Sequence, residues 1–294
     1  MPELPEVETV RRGLEPVLVG NAFARVEQRR PNLRFPLPKD FGLRLSGRRI
    51  EALDRRAKYL LARLDDGEVL VMHLGMTGSF SIDHANGEGE APGRFAHPQA
   101  DAPKHEHVVF HFRDGAQVRY SDARRFGLMD LIRADTLDSH KLFKGLGVEP
   151  LSSGFTAAWL AARLKGKATS IKAALVDQRL IAGLGNIYAS EALFRARISP
   201  LKLAGSLATK SGKPTPKTEA LVAAIKAVLE DAIRAGGSSL RDYSQADGSL
   251  GRFQHRFKVY DREGKKCQTK GCSGTVRRIV QGGRSTFYCP TCQR

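Results

Sequence analysis

The sequence predicts an α+β protein of more than one domain, and three observations support this fold class. Residues 22–133 consist of short alternating or apolar runs separated by turn signals, as in a β domain. Apolar residues recur at helical spacing after residue 135, and all four cysteines lie near the end of the chain. A chain of 294 residues with 41% hydrophobic residues can bury a core in each of two ordinary domains.

An amphipathic helix is predicted directly after the N-terminus. Residues 5–19 carry apolar side chains at helical spacing, and Pro5 suits a first helical turn. The runs KYLLARL-DDG-EVLVMHL and HVVFHF-RDG-AQVRYS then predict hairpins of an antiparallel sandwich or barrel. The polar segment at 86–103 is predicted to be a surface loop of this domain.

The second half of the chain is predicted to be helical. Four segments have helical spacing, namely FTAAWLAARL, IKAALVDQRL, NIYASEALFRA and KTEALVAAIKAVLEDAIRA, whereas 205–216 is predicted to be a loop. We expect three parts: a β domain over 1–134, a helical domain over 135–240, and a loop with a cysteine-bearing tail over 241–294.

The charge of the chain indicates a polyanionic partner. With 48 basic and 31 acidic residues, the formal net charge is +17, and nucleic acid is the leading candidate. A ribosomal or merely cationic protein and an anionic membrane surface are the alternatives. No run of 18 apolar residues and no signal-peptide pattern is present, so we expect a soluble cytoplasmic protein that does not enter a membrane.

The cysteines have the spacing of a metal site. Four residues separate Cys267 from Cys272, and two separate Cys289 from Cys292. Four thiolates from two short knuckles, joined by strand-like runs around Gly282-Gly283, are typical of a zinc ribbon. Two disulfides would suit an exported chain, but nothing in the sequence signals export.

The opening residues MPELPEV can be interpreted in two ways. If the methionine is removed, Pro2 presents a secondary amine with an ordinary pKa near 8, about two units below lysine. Such an amine attacks an aldehyde-level carbon and forms an iminium directly, with Glu3 and Glu6 as candidate acid or base. From position alone, an acidic cluster at a helix start is the simpler interpretation.

Two further motifs suit nucleic acid. DARRFG combines exposed Arg and Phe in a predicted tight turn, as in a wedge that enters a base stack. The Gly-rich turn before Asn186 resembles the second half of a helix-turn-helix, although a helix pair packed in a core has the same pattern.

Taken together, PELPEVET, RRAKYLL, HLGMTGS, DARRFG, GLGNIYASEALF and FYCPTCQR resemble, in that order, bacterial formamidopyrimidine-DNA glycosylase. The resemblance spans nearly the whole chain. It implies an N-terminal helix with an antiparallel β-sandwich, a helix-two-turn-helix domain and a zinc finger with one structural zinc ion. It also implies a monomeric enzyme that binds damaged double-stranded DNA, excises oxidised purines and cleaves the strand.

The resemblance also implies roles for particular residues. Pro2 matches the nucleophile at C1′, Glu3 the general acid/base, Lys58 the β-elimination residue and Arg284 the δ-elimination residue. The remaining matches are to DNA-binding positions, the last three of them filling the gap left by the extruded base: His73, His105, Lys167, Asn186, Met76, Arg124 and Phe126. The loop over 236–257 aligns with the segment that covers the flipped base.

Two departures and two alternatives remain. The first knuckle has four residues between its cysteines where many family members have two, and the segment 86–103 is longer than the family pattern. The chain could belong to the endonuclease eight branch, which prefers oxidised pyrimidines. It could also be a non-enzymatic DNA-binding protein that uses the helix pair and the zinc ribbon.

Overall fold

A computed structural model of the chain describes residues 2–90, 103–238 and 253–294. The chain divides into two compact units. The first contains Met1–Lys144 and Ile233–Gln254, and the second contains Gly145–Ala232 and His255–Arg294. Within the described ranges, no helix is long and apolar enough to cross a membrane.

The described residues form six α-helices and eleven strands. The helices are α1 Leu4–Leu18, α2 Phe41–Leu45, α3 Ala157–Leu164, α4 Ile171–Val176, α5 Asn186–Arg195 and α6 Pro216–Arg234. The strands are β1 Phe23–Gln28, β2 Ile50–Arg56, β3 Tyr59–Leu64, β4 Glu68–His73, β5 Gly78–Asp83, β6 Gly89–Glu90, β7 Glu106–Phe112, β8 Gln117–Asp122, β9 Leu128–Arg133, β10 Arg277–Gln281 and β11 Arg284–Tyr288. The predicted helix–β–helix order is therefore confirmed.

The first unit is an antiparallel β-sandwich with α1 packed against it. One sheet has the strand order β1-β7-β8-β5-β6 and the other the order β2-β3-β4-β9. Alternating side chains of both sheets, together with Val7, Val10, Leu14 and Leu18 of α1, form one buried apolar cluster. The helical spacing of these four residues places them on one face of α1, and this face is buried, as the sequence predicts.

The predicted loop over 86–103 includes a short strand. Gly89 and Glu90 form β6, which pairs with Ile82 and Asp83 at the edge of the sheet. The sequence gives no sign of this strand, because two residues cannot display an alternating pattern. Residues 91–102, most of the predicted loop, lie outside the described residues.

The second unit is helical and ends in a β-hairpin. Helix α5 is buried on nearly every side, and α6 buries one face through Leu221, Ile225, Val228 and Leu229. Strands β10 and β11 pair antiparallel around Gly282 and Gly283, whose φ angles of 55° and 72° fit a two-residue hairpin turn. Phe194 of α5 packs in one cluster with Phe287 of β11 and with Val276, which directly precedes β10.

Candidate active site and nucleic-acid interface

The N-terminus is held rigidly at the start of α1. Glu3 is the N-cap residue of the helix, only 3% exposed, and forms a reciprocal capping box with Glu6. The backbone N–H of Glu3 donates to Oε2 of Glu6 at 2.9 Å. Pro2, which precedes this bond, is buried. The residue that would act as the nucleophile therefore stands on a fixed backbone rather than on a frayed tail.

Glu6 also binds a distant part of the first unit. Its Oε1 accepts the backbone N–H of Ser238 at 2.8 Å and the Ser238 hydroxyl at 3.0 Å. Both carboxylate oxygens of Glu6 thus accept hydrogen bonds within the first unit. Ser238 lies at the beginning of the predicted lesion-covering loop, most of which, residues 239–252, is outside the described residues.

Lys58 lies in the tight turn between β2 and β3, next to Ala57, which has a φ angle of 54°. A positive φ is uncommon for a residue with a Cβ, and it marks a backbone held in place by its surroundings. The Lys58 side chain is only 7% exposed. A lysine that is so little exposed is unusual, and this burial sets Lys58 apart from the many solvated lysines of the chain.

His73 ends β4 and is a neutral hydrogen-bond donor. Burial, together with the charges of Lys58 and Arg34, lowers the pKa of His73 to about 4. Its Nδ1 accepts the backbone N–H of Gly75 at 2.9 Å, so the proton of the neutral ring is on Nε2. The ring packs against Tyr59 with a centroid separation of 4.8 Å. An oriented Nε2–H is suited to a phosphate oxygen.

Two glycines allow the loop that carries Met76 to contact the loop that carries Phe126. A Cβ on Gly75, which has a φ of 63°, would lie 2.3 Å from the backbone carbon of Phe126. A Cβ on Gly127 would lie 1.8 Å from the Tyr120 hydroxyl and 2.7 Å from the His73 carbonyl oxygen. A side chain fits at neither position, so the sequence HLGMTG and DARRFG place these loops in direct contact.

The DARRFG turn is organised by Asp122, which is fully buried. Its Oδ2 accepts the backbone N–H of Gly127 at 2.7 Å, and its Oδ1 accepts the Thr77 hydroxyl. The same hydroxyl accepts the backbone N–H of Arg124 at 3.1 Å. Asp122 and Gly127 already indicate a tight turn in the sequence. The bond of this carboxylate to Thr77, 45 positions away, was not predicted.

Arg124 and Phe126 project from this turn. The Arg124 guanidinium lies 4.7 Å from the centroid of the Phe126 ring, and Phe126 remains 43% exposed. A large apolar side chain left exposed on a fixed turn fits an inserted wedge better than a core position. Met76, on the adjacent loop, is half-buried.

The two histidines of KHEH differ in environment. His105 is half-buried at the end of a short helical turn, Pro103–His105. His107 is 2% exposed, and its Nε2 lies 2.8 Å from the carbonyl oxygen of Asp122. It therefore supports the DARRFG turn, residues 122–127, which we call the wedge turn. Burial and the nearby Arg30 and Arg125 lower the pKa of His107. The sequence singled out His105 and gave no reason to notice His107.

In the second unit, Asn186 contacts the strand that carries Arg284. Its Nδ2 donates to the carbonyl oxygen of Ser285 at 2.8 Å. Arg284 is exposed immediately after the Gly282-Gly283 turn and has no carboxylate partner among the described residues. Lys167 is exposed in the connection between α3 and α4. The bond from Asn186 to the hairpin was not predicted, since ninety-nine positions separate the two residues.

Glu191 of α5 is a second buried carboxylate that the sequence did not single out. It accepts backbone N–H groups of Lys258 at 3.0 Å, Val259 at 3.0 Å and Tyr260 at 2.8 Å. These residues precede the first cysteine knuckle, so Glu191 anchors the finger to α5. Burial raises the pKa of Glu191, opposed by these hydrogen bonds.

The four cysteines fit one tetrahedral zinc ion. The Sγ atoms of Cys267 and Cys292 are 3.7 Å apart, and those of Cys272 and Cys289 are 3.8 Å apart. All four sulfurs lie within 4.8 Å of one another. Zinc–sulfur bonds of about 2.3 Å in a tetrahedron place the sulfurs about 3.8 Å apart. The longer CQTKGC knuckle therefore preserves the metal geometry, and the predicted structural zinc is confirmed.

The site residues thus fall into separate groups. The first unit brings Lys58 and His73 near one another, joins the Met76 loop to the Arg124–Phe126 turn, and fixes Pro2 and Glu3 at the start of α1. The second unit holds Asn186 and Arg284 on contacting elements. A sandwich that begins with a fixed proline, a helix-two-turn-helix unit and a four-cysteine finger together define a class of DNA glycosylases.

The chain belongs to the formamidopyrimidine-DNA glycosylase family. Three family models match it: the formamidopyrimidine-DNA glycosylase N-terminal domain over residues 1–129, the H2TH domain over 146–244, and a zinc finger found in FPG and IleRS over 264–294. The formamidopyrimidine-DNA glycosylase of Azorhizobium caulinodans is 59% identical over 294 residues, with both chains covered completely.

Solved structures with the same fold contain DNA. The chain is similar to Lactococcus lactis FPG in complex with DNA containing Fapy-dG, with a TM-score of 0.82 and 33% identity over 99% of this chain and 100% of that chain. It is also similar to the wild-type Lactococcus lactis FPG in complex with DNA containing an oxidised pyrimidine, with a TM-score of 0.81 and 34% identity over the whole of both chains.

Proposed function

We propose that this chain is a base-excision-repair enzyme that removes oxidised purines from duplex DNA and then cleaves the strand at the abasic site. The observation that carries the proposal is the N-terminus: Pro2 is buried, and the adjacent Glu3 is fixed by the capping box with Glu6. Membership of the glycosylase family supports the activity, and the net charge of +17 supports a DNA substrate.

Once Met1 is removed, the Pro2 nitrogen bonds to C1′ of the damaged nucleotide. The bond from C1′ to the base breaks, and the base leaves with that electron pair and takes up a proton. The nitrogen gives up its N–H proton, which balances the proton taken up by the base, and the lone pair so recovered forms the iminium as the bond from C1′ to the ring oxygen opens. Glu3 supplies the proton to that oxygen, and its place at the helix N-cap next to Pro2 suits this role.

Strand cleavage follows by two eliminations. Loss of a C2′ proton from the iminium expels the 3′ phosphate, and loss of a C4′ proton expels the 5′ phosphate. Lys58, which is only 7% exposed, is suited to the first step through its amine, and Arg284 to the second by binding the phosphate that leaves. Hydrolysis by water alone would not require an amine, whereas covalent capture leads directly to cleavage.

The remaining predicted residues bind and distort the DNA. Extruding a base from the stack costs a few kcal/mol, and inserted side chains offset part of this cost. Met76, Arg124 and Phe126 are suited to fill the gap, whereas His73, His105, Lys167 and Asn186 offer donors to phosphates. We further propose a monomer in the bacterial cytoplasm, associated with the nucleoid when bound to DNA, with functional segments 1–134, 135–240 and 241–294.

The test is the product of a single lesion. A labelled duplex containing 8-oxoguanine opposite cytosine should be cut to fragments with phosphate at both new ends, the outcome of β,δ-elimination. A duplex with an oxidised pyrimidine is the comparison substrate, because a related enzyme has been solved with such DNA. Faster cleavage of the pyrimidine duplex would favour the endonuclease eight alternative, and tight binding without cleavage the non-enzymatic one.

A further inference from the structure

The loop between β1 and α2 presents two exposed side chains on a fixed backbone. Leu33 and Leu37 are buried in the core of the sandwich, and Asn32 forms a β-bridge with Pro36. Between these anchors, Arg34 is exposed and Phe35 is 50% exposed. The anchors on both sides hold the Arg34 and Phe35 side chains at the surface of the sandwich.

This loop is bonded to the wedge turn beside His73. The backbone N–H of Arg34 donates to the carbonyl oxygen of Gly127 at 3.0 Å. Gly127 itself is packed so closely against the His73 carbonyl oxygen that a Cβ would lie 2.7 Å from it. The three loops that carry Arg34, His73 and Phe126 therefore meet at Gly127. Consistently, the charge of Arg34 contributes to lowering the pKa of His73 and acts on Tyr59 as well.

The Arg34 guanidinium is oriented but has no carboxylate partner among the described residues. It lies 5.5 Å from the centroid of the Phe35 ring. Several other arginines of this unit are paired with carboxylates, for example Arg29 with Glu106 at 2.9 Å and Arg48 with Asp66 at 2.9 Å, whereas Arg34 shares its lack of a carboxylate partner among the described residues with Arg124 of the wedge turn. A stacked cation that no carboxylate neutralises, next to a buried lysine and a histidine N–H donor, is suited to an anion with several acceptor oxygens.

We propose that Arg34 binds a phosphodiester group of the damaged DNA, next to the group bound by Lys58 and His73, and that Phe35 holds the guanidinium in position. This inference rests on the proposed function, because it assumes a DNA ligand. The simpler interpretation is a solvated arginine that packs on its neighbour for local reasons. The two interpretations differ in the number of phosphates that the protein neutralises.

The test is the salt dependence of binding, measured with a duplex that contains a tetrahydrofuran abasic-site analogue. Log affinity falls as log salt concentration rises, and each phosphate neutralised by a cation makes this fall steeper by about 0.9. Arg34→Ala and Arg34→Gln should each reduce the steepness by about that amount, whereas Arg34→Lys should keep it. Between about 50 and 200 mM salt, the wild type should then lose about threefold more affinity than either neutral variant.

The matched control is Arg48→Ala, which also removes an exposed arginine from the sandwich. Arg48 lies away from the proposed phosphate site. It pairs with Asp66 just beyond the end of β3, whereas His73 lies beside Tyr59 at the start of that strand. The control should leave the slope unchanged. Thermal unfolding of each variant shows whether the loop still folds.

The outcomes separate this inference from the proposed function. If the wild type cleaves the lesion duplex but Arg34→Ala and Arg34→Gln keep its slope, Arg34 does not bind phosphate and the inference is wrong. The same conclusion follows if Arg34→Lys falls to the slope of the neutral variants, or if Arg48→Ala lowers the slope as much. If the wild type itself neither binds nor cleaves damaged DNA, the proposed function fails first.

Discussion

The Glu6 carboxylate connects the backbone N–H of Glu3, at 2.9 Å, to the backbone N–H and hydroxyl of Ser238, at 2.8 and 3.0 Å. A single buried side chain thus holds both the N-terminus, the proposed nucleophile, and the residue at which the predicted lesion-covering loop begins. The helix-start cluster PELPEV is therefore both a capping box and the support of the proposed nucleophile, so the two interpretations of these residues do not compete.

Replacing Glu6 by Gln should slow covalent capture without abolishing DNA binding. The amide offers one acceptor where the carboxylate offers two, so either Glu3 or Ser238 faces an N–H group and loses its bond. Leaving a buried donor unpaired costs about 1–3 kcal/mol. Borohydride trapping at successive times measures the rate of covalent capture, and thermal unfolding measures the loss of stability. Glu15→Gln, on the exposed face of the same helix, is the control, and an equal loss in both variants would remove the special role of Glu6.

His73 should make stability depend on pH. Its pKa is about 4 in the folded chain against about 6.5 in the unfolded chain, so the unfolded state binds more protons between these values. The contribution is fully present above pH 6.5 and is lost as the pH falls through 4, with an upper bound of about 3 kcal/mol. The free energy of unfolding of wild type minus His73→Gln, measured from pH 8 to pH 4, should decline. A difference that stays constant with pH would contradict the neutral, buried imidazole.

Asp122→Asn should disable the wedge turn. The carboxylate accepts the Gly127 N–H through Oδ2 and the Thr77 hydroxyl through Oδ1, whereas the amide has only one oxygen, so one of these bonds is lost at a fully buried position. We expect a loss of about 1–3 kcal/mol in stability. Activity on 8-oxoguanine should fall more than activity on a preformed abasic site, because the second substrate has no base to extrude. Asp114→Asn, at an exposed hairpin turn of the same sheet, should leave both activities unchanged; equal losses on both substrates for Asp122→Asn would show a general folding defect instead.

Zinc should be present at one ion per chain and should hold the finger together. Cys289→Ser removes a fully buried ligand, and the remaining three sulfurs cannot complete the tetrahedron. We expect loss of bound zinc, measured by elemental analysis. We also expect a large loss of affinity for DNA, because the hairpin that carries Arg284 is no longer held by the metal site. Ser273→Ala, exposed between the two knuckles, should retain both; a Cys289→Ser variant with full zinc content would refute the four-sulfur site.

Much of the fold follows from local patterns. Alternation predicted the hairpins, helical spacing predicted α1, α3, α5 and α6 within a few residues, and cysteine spacing predicted the zinc finger. These features are local in sequence, because a strand or helix face repeats within a few positions. The two-residue strand β6 was missed, since it is defined only by its partner β5.

The supports of the site could not be predicted in the same way. Glu191, His107 and Ser238 act through partners that are distant in the chain or through backbone atoms, and neither leaves a pattern in the sequence. Asp122 was predicted as a turn residue, but its bond to Thr77 was not. Arg34 was hidden by the high arginine content of the chain. Its lack of a carboxylate partner among the described residues becomes visible only when the ion pairs of the surrounding arginines are known.

The most direct test of the central claim is borohydride trapping with Pro2 exposed and Pro2 blocked. A version with an N-terminal tag, cleavable so that Pro2 becomes the first residue, should give no covalent adduct with a duplex containing 8-oxoguanine opposite cytosine. Removal of the tag should produce the adduct. Trapping of the tagged protein at the same rate, or binding without any adduct after Pro2 is released, would show that the Pro2 amine is not the nucleophile.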